Sequence, residues 1–283
     1  MGPVAAEGPT LLFSTAAFFG RPLREAFAAI AEAGYTGVEL MVTRDPATQD
    51  PAMVRDLAAA FGLAVEAIHA PFLLVSRRVW TTDPVTKVYR AVQAAEHVGA
   101  RLVVVHPPYR WQRRYRRWID RSLAELPAAT GVAIAVENMF PVRLPNERAV
   151  RFHAGSVELA DLDRFPAVVL DTSHAAVAGI GLVEAVERLG ERLVHVHLSD
   201  NAGRGWDSHL PLGEGVLPLA ALLDRLAARG FRGSVSLELD LRRYLDDRAA
   251  LLRVMRDCRA FCEDRLPLST GRGGRPRPGR GGC

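Results

Sequence analysis

The sequence predicts a single barrel of eight parallel strands that alternate with helices, a (β/α)8 fold. Three observations support this prediction. Short, apolar, β-branched runs alternate with longer amphipathic segments from residue 11 to residue 263. Proline stands at or near the first turn of several predicted helices, and glycine often precedes the next strand. The glycine-rich phosphate turn that favours a doubly wound sheet does not follow the first strand.

The predicted elements follow in strict alternation. The strands are short runs rich in Val, Leu, Ile and Ala, and they span Leu11–Phe19, Gly37–Met41, Ala64–Ala70, Arg101–Pro107, Val132–Asn138, Ala167–Asp171, Leu193–Ser199 and Ser234–Asp240. The helices have apolar residues at a helical period, and they span Pro22–Ala33, Pro51–Phe61, Pro84–Val98, Tyr115–Ala129, Leu182–Leu189, Leu217–Ala228 and Asp246–Glu263.

The composition predicts one large domain. Of the 283 residues, 49% are hydrophobic, which is enough for a sizeable core. We expect residues 1–10 to be a loose leader, residues 11–266 to form the barrel, and the Gly/Pro/Arg-rich residues 267–283 to be a disordered tail. No run approaches the ~20 apolar residues that span a bilayer, and none has the pattern of a signal peptide. A cytoplasmic protein without a membrane partner is therefore expected.

The charge and the reactive side chains narrow the function classes. The formal net charge is +4, but four arginines without an acid lie in residues 269–283, so the body of the chain is close to neutral. Lys87 is the only lysine, which leaves one candidate nucleophile for Schiff-base chemistry. Cys258 and Cys262 stand four apart in a predicted helix, and we interpret them as packing residues and not as a zinc site.

Seven of the eight predicted strands finish in His, Asp or Glu. The chemistry of a (β/α)8 barrel lies at the C-terminal ends of its strands. The whole chain has only 8 His and 32 Asp and Glu, so chance explains this placement poorly. Helix N-caps account for an occasional Asp, but not for His or Glu. The seven residues are Glu39, His69, His106, Glu137, Asp171, His197 and Glu238.

These residue types predict a divalent metal site. Imidazole and carboxylate groups are the ligands that Zn²⁺ and Mn²⁺ prefer, and the lack of cysteine favours a catalytic site with open positions. The loops that follow strands six and seven add three further candidates. The predicted ligands, enough for one to three ions, are His69, His106, Glu137, Asp171, His174, His197, Asp207, His209 and Glu238.

The ordered motifs resemble those of the xylose isomerase-like TIM-barrel superfamily, which includes sugar phosphate isomerases and epimerases and also endonuclease IV. The resemblance covers residues 11–263. It rests on His69 in AIHAPF, His106 in VVVHPP, Glu137 in AVENM, Asp171 and His174 in LDTSH, His197 in HVHLSDN, Asp207 and His209 in WDSHLPLGEG, and Glu238 in SLELD. It implies a core metal held by Glu137, Asp171, His197 and Glu238. In endonuclease IV the further matches complete a three-zinc cluster.

The resemblance implies two alternative activities. The first is isomerisation or epimerisation of a sugar, polyol or sugar phosphate, with Glu137 and Glu238 as the acid/base pair. The second is endonuclease IV-like hydrolysis of phosphodiesters by several zinc ions, and only this activity implies a nucleic-acid partner. The nine-ligand set favours the second, whereas the HAPF and HPPY motifs and the near-neutral body favour the first. We therefore expect the first activity. A third hypothesis is a barrel that binds a sugar or metal without turnover, and the intact pair of Glu137 and Glu238 argues against it.

Other polar residues have expected roles around this site. In the basic, aromatic run Tyr109–Trp118 we expect Arg110, Trp111 and Arg113 to bind substrate, although an amphipathic helix with a solvated face explains the run equally well. We interpret His195 as a packed or ligand-orienting histidine and Glu39 as a buried ion-pair partner. His97, in a predicted helix, and His153, in a predicted loop, are expected at the surface.

Overall fold

A closed parallel barrel forms the centre of the molecule. We describe it from a computed structural model, over residues 8–71, 79–123, 125–143, 149–155 and 157–269. The strands are β1 (Thr10–Ser14), β2 (Gly37–Met41), β3 (Ala64–His69), β4 (Leu102–Val105), β5 (Ala133–Glu137), β6 (Val142–Arg143), β7 (Ala149–Val150), β8 (Val168–Asp171), β9 (Leu193–Leu198) and β10 (Ser234–Leu237). The barrel order is β1-β10-β9-β8-β5-β4-β3-β2, and β6 pairs with β7 outside it. The predicted (β/α)8 barrel is thus confirmed.

Helices follow the barrel strands along the chain. They are α1 (Leu23–Glu32), α2 (Pro46–Gln49), α3 (Pro51–Ala60), α4 (Pro84–Val98), α5 (Arg113–Ser122), α6 (Leu126–Thr130), α7 (Thr172–Ala178), α8 (Leu182–Leu189), α9 (Leu219–Ala228) and α10 (Arg248–Glu263). Aspartate followed by proline starts three of them, α2, α3 and α4. In each case the aspartate side chain accepts hydrogen bonds from backbone N–H groups of the first turn.

Three predicted elements differ from the structure. The segment after the sixth predicted strand, predicted as a loop that carries His174, is the helix α7, because the Asp171 side chain accepts a hydrogen bond from His174 N and starts a helix there. The first strand ends at Ser14 and not at Phe19, because the Ser14 side chain accepts a hydrogen bond from Ala16 N and starts a 3-10 helix over Thr15–Phe18. The predicted helix Tyr115–Ala129 is two helices, α5 and α6, and the second begins with a proline in its first turn. The last two differences lie where a polar cap or a proline interrupts an otherwise continuous apolar pattern.

The interior of the barrel changes from apolar to polar. One set of side chains forms a small apolar core inside the barrel: Leu12, Ala67, Leu102, Val104, Ala135 and Val169. The remaining interior positions on β2, β9 and β10 include Glu39, His195 and Ser236, which are all fully buried. Charged groups buried this deeply require partners. These buried polar residues lie on strands whose C-terminal ends face the same mouth of the barrel.

The two chain ends are only partly described. Thr10 already belongs to β1 and pairs with Ser234, one residue before the predicted start of the barrel. Residues 1–7 and 270–283 lie outside the described residues, so the expected leader and tail stay predictions. Cys258 and Cys262 are free and buried on α10, as expected of packing residues. Within the described ranges, no helix combines the length and the apolar character needed to cross a membrane.

Candidate metal centre

All nine predicted ligands meet at the C-terminal mouth of the barrel. They form three overlapping groups, in each of which the ligand atoms lie within 4.8 Å of one another. The β3–β5 group is His69, His106 and Glu137; the central group is Glu137, Asp171, His197 and Glu238; the loop group is Asp171, His174, Asp207 and His209. Glu137 therefore belongs to two groups, and so does Asp171. The strand ends supply the central group, since β5 ends at Glu137, β8 ends at Asp171, and Glu238 directly follows β10.

The central group contains buried carboxylate oxygens that accept no aligned hydrogen bond. Glu137 Oε2, Asp171 Oδ2 and Glu238 Oε2 are buried and accept no hydrogen bond from the described residues. Glu137 Oε2 lies 3.0 Å from His106 Nε2, but without hydrogen-bond alignment. His197 Nδ1 lies 2.9 Å from Glu238 Oε2, 3.0 Å from Glu137 Oε1 and 3.7 Å from Asp171 Oδ2. Buried, unpaired carboxylate oxygens are costly, and a divalent cation among them would remove that cost. The residues present therefore fit a metal ion.

Glu39 orients His197 from inside the barrel. Glu39 Oε1 lies 3.0 Å from His197 Nε2, and its Oε2 lies 3.3 Å from His195 Nε2. His195 Nδ1 in turn lies 2.6 Å from Ser234 Oγ. Because a carboxylate only accepts, Nε2 of His197 donates its proton to Glu39. Burial opposes protonation of His197, but Glu39 and Glu238 outweigh it and hold its pKa well above the usual range, so Nδ1 also carries a proton, which an ion in the central group would replace. The interpretations of Glu39 as a buried ion-pair partner and of His195 as a packed, orienting histidine are confirmed.

A fourth set of ligand-type atoms, on Glu39, His195 and His197, also lies close together. It differs from the central group in one respect. Both oxygens of Glu39 and both ring nitrogens of His195 have a partner at hydrogen-bond distance. Both oxygens of Glu39 are therefore paired without a cation. We therefore assign this set to support of the centre and not to ion binding.

Burial and neighbouring charges shift the pKa values of the centre. Burial raises the pKa of Asp171 to about 6, although His174 and His209 act against the rise. Burial also opposes ionisation of Glu137, but His197 and His106 outweigh it and hold the pKa of that carboxyl well below its usual range. Burial alone would lower the pKa of His209, and the charges of Asp171 and Asp207 instead raise it to about 10. The centre thus attracts positive charge, whether as protons on histidine or as metal ions.

A cavity of about 280 Å³ opens above the ligands. Its floor contains members of all three groups. One wall is mostly apolar and is formed by Tyr109, Met139, Phe140, Val142 and Phe152. The Phe140 ring centre lies 4.7 Å from that of His174, so the apolar wall touches the ligands directly. This volume and lining are typical of sites for small molecules.

His153 corrects one expectation. It is buried, with 7% of its surface exposed, and it lines the cavity, so its expected place at the surface is wrong. His153 Nδ1 lies 2.9 Å from Pro107 O, and its ring centre lies 4.3 Å from that of Tyr109. Burial lowers the pKa of His153 to about 4. No local pattern predicts the burial of His153, because a non-local backbone bridge between Tyr109 and His153 creates the contact. His97 is exposed, as expected.

The three predicted substrate contacts lie at the rim of the mouth. Trp111 is 58% exposed and stacks on Tyr109, with ring centres 4.8 Å apart and planes 9° apart. It precedes α5, so it does not share a helical stripe with the buried Tyr115. Arg110 and Arg113 are exposed beside it. Trp111 contacts Tyr109, which lines the cavity, and a substrate contact by Trp111 or by either arginine stays a prediction.

Comparisons with known proteins agree with this geometry. Residues 27–258 match the family described as xylose isomerase-like TIM barrel. An uncharacterised protein of Mycobacterium leprae is 42% identical over 256 residues, which are 84% of this chain and 90% of that protein. A probable endonuclease 4 of Mycobacterium bovis is 30% identical over 221 residues, covering 71% of this chain and 85% of the relative. The crystal structure of a D-tagatose 3-epimerase-like protein has the same fold, with a TM-score of 0.69, 21% identity and coverage of 90% and 98%.

Proposed function

Because the chain belongs to the xylose isomerase-like TIM-barrel family, we propose that it is a metal-dependent isomerase or epimerase of a sugar, polyol or sugar phosphate. One observation carries the proposal. Glu137 ends β5 and Glu238 directly follows β10, so the two glutamates come from different parts of the barrel. Each has one buried carboxylate oxygen that accepts no hydrogen bond from the described residues. Both glutamates lie on the floor of the 280 Å³ cavity. Two carboxylates so arranged would flank one small substrate in the cavity.

The central group would hold the ion, with His197 and Asp171 completing the set around the two glutamates. A divalent ion bound there supplies Lewis acidity to the carbonyl and hydroxyl oxygens of the substrate. The low pKa of Glu137 keeps its carboxylate ionised, so it can remove the proton on the carbon beside the carbonyl. Glu238, across His197 and protonated from solvent, would return a proton to the other side of that carbon in epimerisation, or to the neighbouring carbon in isomerisation.

The cavity wall favours a small polyhydroxylated substrate. The rings of Tyr109, Phe140 and Phe152 offer apolar surface for the C–H face of a sugar. His174 and His209 also line the cavity and can bond hydroxyl groups. The sugar-epimerase-like structure with the same fold is consistent with such a substrate. Arg110 and Arg113 would then serve a phosphate or another anionic group at the rim.

Phosphoester hydrolysis is the second candidate, and a specific observation favours it. The β3–β5 group and the loop group each bring three or four ligand atoms together, beyond the set that one central ion needs. Several ions side by side can clamp both the attacking and the leaving oxygen at phosphorus. The relative described as a probable endonuclease 4 agrees with this alternative.

Ion counting combined with two assays separates the candidates. The protein is stripped with a chelator, reloaded with Mn²⁺ or Zn²⁺, and analysed by plasma emission. The isomerase proposal predicts that about one ion per chain supports turnover, and that solvent deuterium enters the carbon beside the carbonyl in a panel of ketoses and their phosphates. Glu137→Gln should abolish this exchange, whereas Glu238→Gln should abolish formation of the product. Cleavage of an abasic-site duplex or of a phosphodiester that requires three zinc ions, without any deuterium exchange, would overturn the ranking.

A further inference from the structure

The loop group depends on a segment without regular secondary structure. Asp207 and His209 lie between β9 and α9, in the irregular chain from residue 199 to residue 218. Metal ligands need fixed positions, whereas a long irregular segment has many conformations. His209 is also held at φ 41°, in the left-handed region that a side chain rarely adopts. Some part of the structure must therefore hold this segment in one shape.

The buried carboxylate of Asp200 joins the two ends of that segment. Asp200 is 2% exposed, and its Oδ2 accepts hydrogen bonds from Gly213 N at 3.1 Å and Gly215 N at 3.0 Å. Its Oδ1 accepts from Leu217 N at 3.0 Å and from Asn201 N at 2.8 Å. A Cβ at Gly215 would lie 2.3 Å from Asp200 Oδ1, so only glycine permits this close approach. One side chain thus satisfies four backbone amides of the segment.

The hydroxyl of Ser173 fixes the ligands themselves. Ser173 is fully buried on α7, between Asp171 and His174. Its Oγ donates to Asp207 Oδ1 at 2.5 Å and accepts from Asn201 Nδ2 at 2.9 Å. Asp207 Oδ2 then faces the histidines, 3.0 Å from His209 Nε2 and 3.3 Å from His174 Nε2. The hydroxyl therefore selects which oxygen of Asp207 faces the loop group.

The geometry points to Ser173 and Asp200 as positioning residues for a separate ion in the loop group, which can be lost while the ion of the central group stays bound. This inference rests on the proposed metal centre, but not on which reaction it catalyses. Among the described residues, Glu137, His197 and Glu238 form no hydrogen bond with Ser173 or Asp200. The positions of Glu137 and His197 come from strand ends and from Glu39. The segment contacts Glu238 at its backbone oxygen, 3.1 Å from His209 Nδ1, and this contact involves neither Ser173 nor Asp200.

Zinc binding by the full chain tests this inference. Wild-type protein, Ser173→Ala and Asp200→Asn are stripped and titrated with Zn²⁺ alone, and bound zinc is located by anomalous diffraction. Loss of a group that orients a metal ligand typically weakens binding 10- to 100-fold. We expect such a loss for the loop-group ion in both variants, with unchanged central occupancy. Ser236→Ala is the matched control, because it removes an equally buried hydroxyl that has no hydrogen-bond partner among the described residues.

The outcomes separate failure of the inference from failure of the proposed centre. If wild-type protein binds no zinc at the mouth, the metal centre itself is wrong. If it binds zinc only at the central group, or if Ser173→Ala loses both ions together or neither, the positioning role is wrong and the centre stands. Should Asp200→Asn fail to fold, Ser173→Ala decides alone. Substitution with Co²⁺ adds a spectroscopic readout, since the visible absorption of the loop-group ion should disappear selectively.

Discussion

Replacing Glu39 by glutamine tests how the barrel interior controls the centre. Burial opposes ionisation of Glu39, but His197 and His195 outweigh it and hold its pKa well below the usual range, so the group removed is an anion. Glutamine keeps the shape but loses the charge, and its NH₂ group cannot accept from either imidazole. Loss of the outer partner of a ligating histidine weakens metal binding about 10- to 100-fold. This corresponds to about 1.4–2.8 kcal/mol for an ion in the central group.

The measurement is a competition titration of Zn²⁺ between stripped protein and a chromophoric chelator. Glu187→Gln is the matched control, since it removes a carboxylate that makes exposed ion pairs with Arg225 and Arg229 on the outside of the barrel. We expect weaker binding in Glu39→Gln and wild-type binding in Glu187→Gln. An affinity of Glu39→Gln within twofold of the wild type would refute the reasoning that Glu39 sets the proton position on His197.

Four further outcomes are expected. Removing metal with a chelator should lower the melting temperature by roughly 5–11 °C relative to protein with ion at 100 times Kd. Such binding adds about 2.7 kcal/mol to the free energy of unfolding, and the melting temperature of a chain of this size shifts by about 2–4 °C per kcal/mol. An unchanged melting curve in differential scanning fluorimetry would contradict a cation site. Glu238→Gln should keep the fold by circular dichroism and lose about 10²- to 10⁴-fold in kcat; full turnover would exclude its acid/base role. Trp111→Ala should raise KM with little change in kcat, because the exposed ring reaches the cavity only through Tyr109; identical steady-state parameters would remove it from the substrate contacts. His153→Ala should cost about 2–3 kcal/mol in urea unfolding through the cavity and the lost hydrogen bond to Pro107; an unchanged midpoint would show that the site relaxes without cost.

Sequence reasoning identified the candidate ligands of the centre because the C-terminal ends of all strands of a barrel lie at one mouth. Glu137, Asp171 and His197 stand at the ends of apolar runs, and the register of parallel strands brings such positions together. The prediction needed only the pattern of each run and the rule that places chemistry at the strand ends. Element boundaries were less predictable, because Ser14 stops β1 by a side-chain hydrogen bond inside a continuous apolar run.

Contacts between distant loops could not be predicted from the sequence. His153 is buried because its backbone pairs with Tyr109, and neither residue carries a local signal for that pairing. The role of Asp200 also depends on contacts with amides up to 17 positions away. Such contacts depend on the path of the loops over the barrel, which a single sequence conveys least.

The division of the centre between strands and a loop affects how such an enzyme can change over evolutionary time. The ends of β5, β8 and β9 are constrained by the packing of the whole barrel, whereas Asp207 and His209 lie on a stretch without regular secondary structure. A few substitutions between residues 199 and 218 would therefore remove the proposed loop-group ion and leave the strand ends of the central group in place. Lineages that share this scaffold could in this way exchange single-ion and several-ion chemistry while inheriting an unaltered interior.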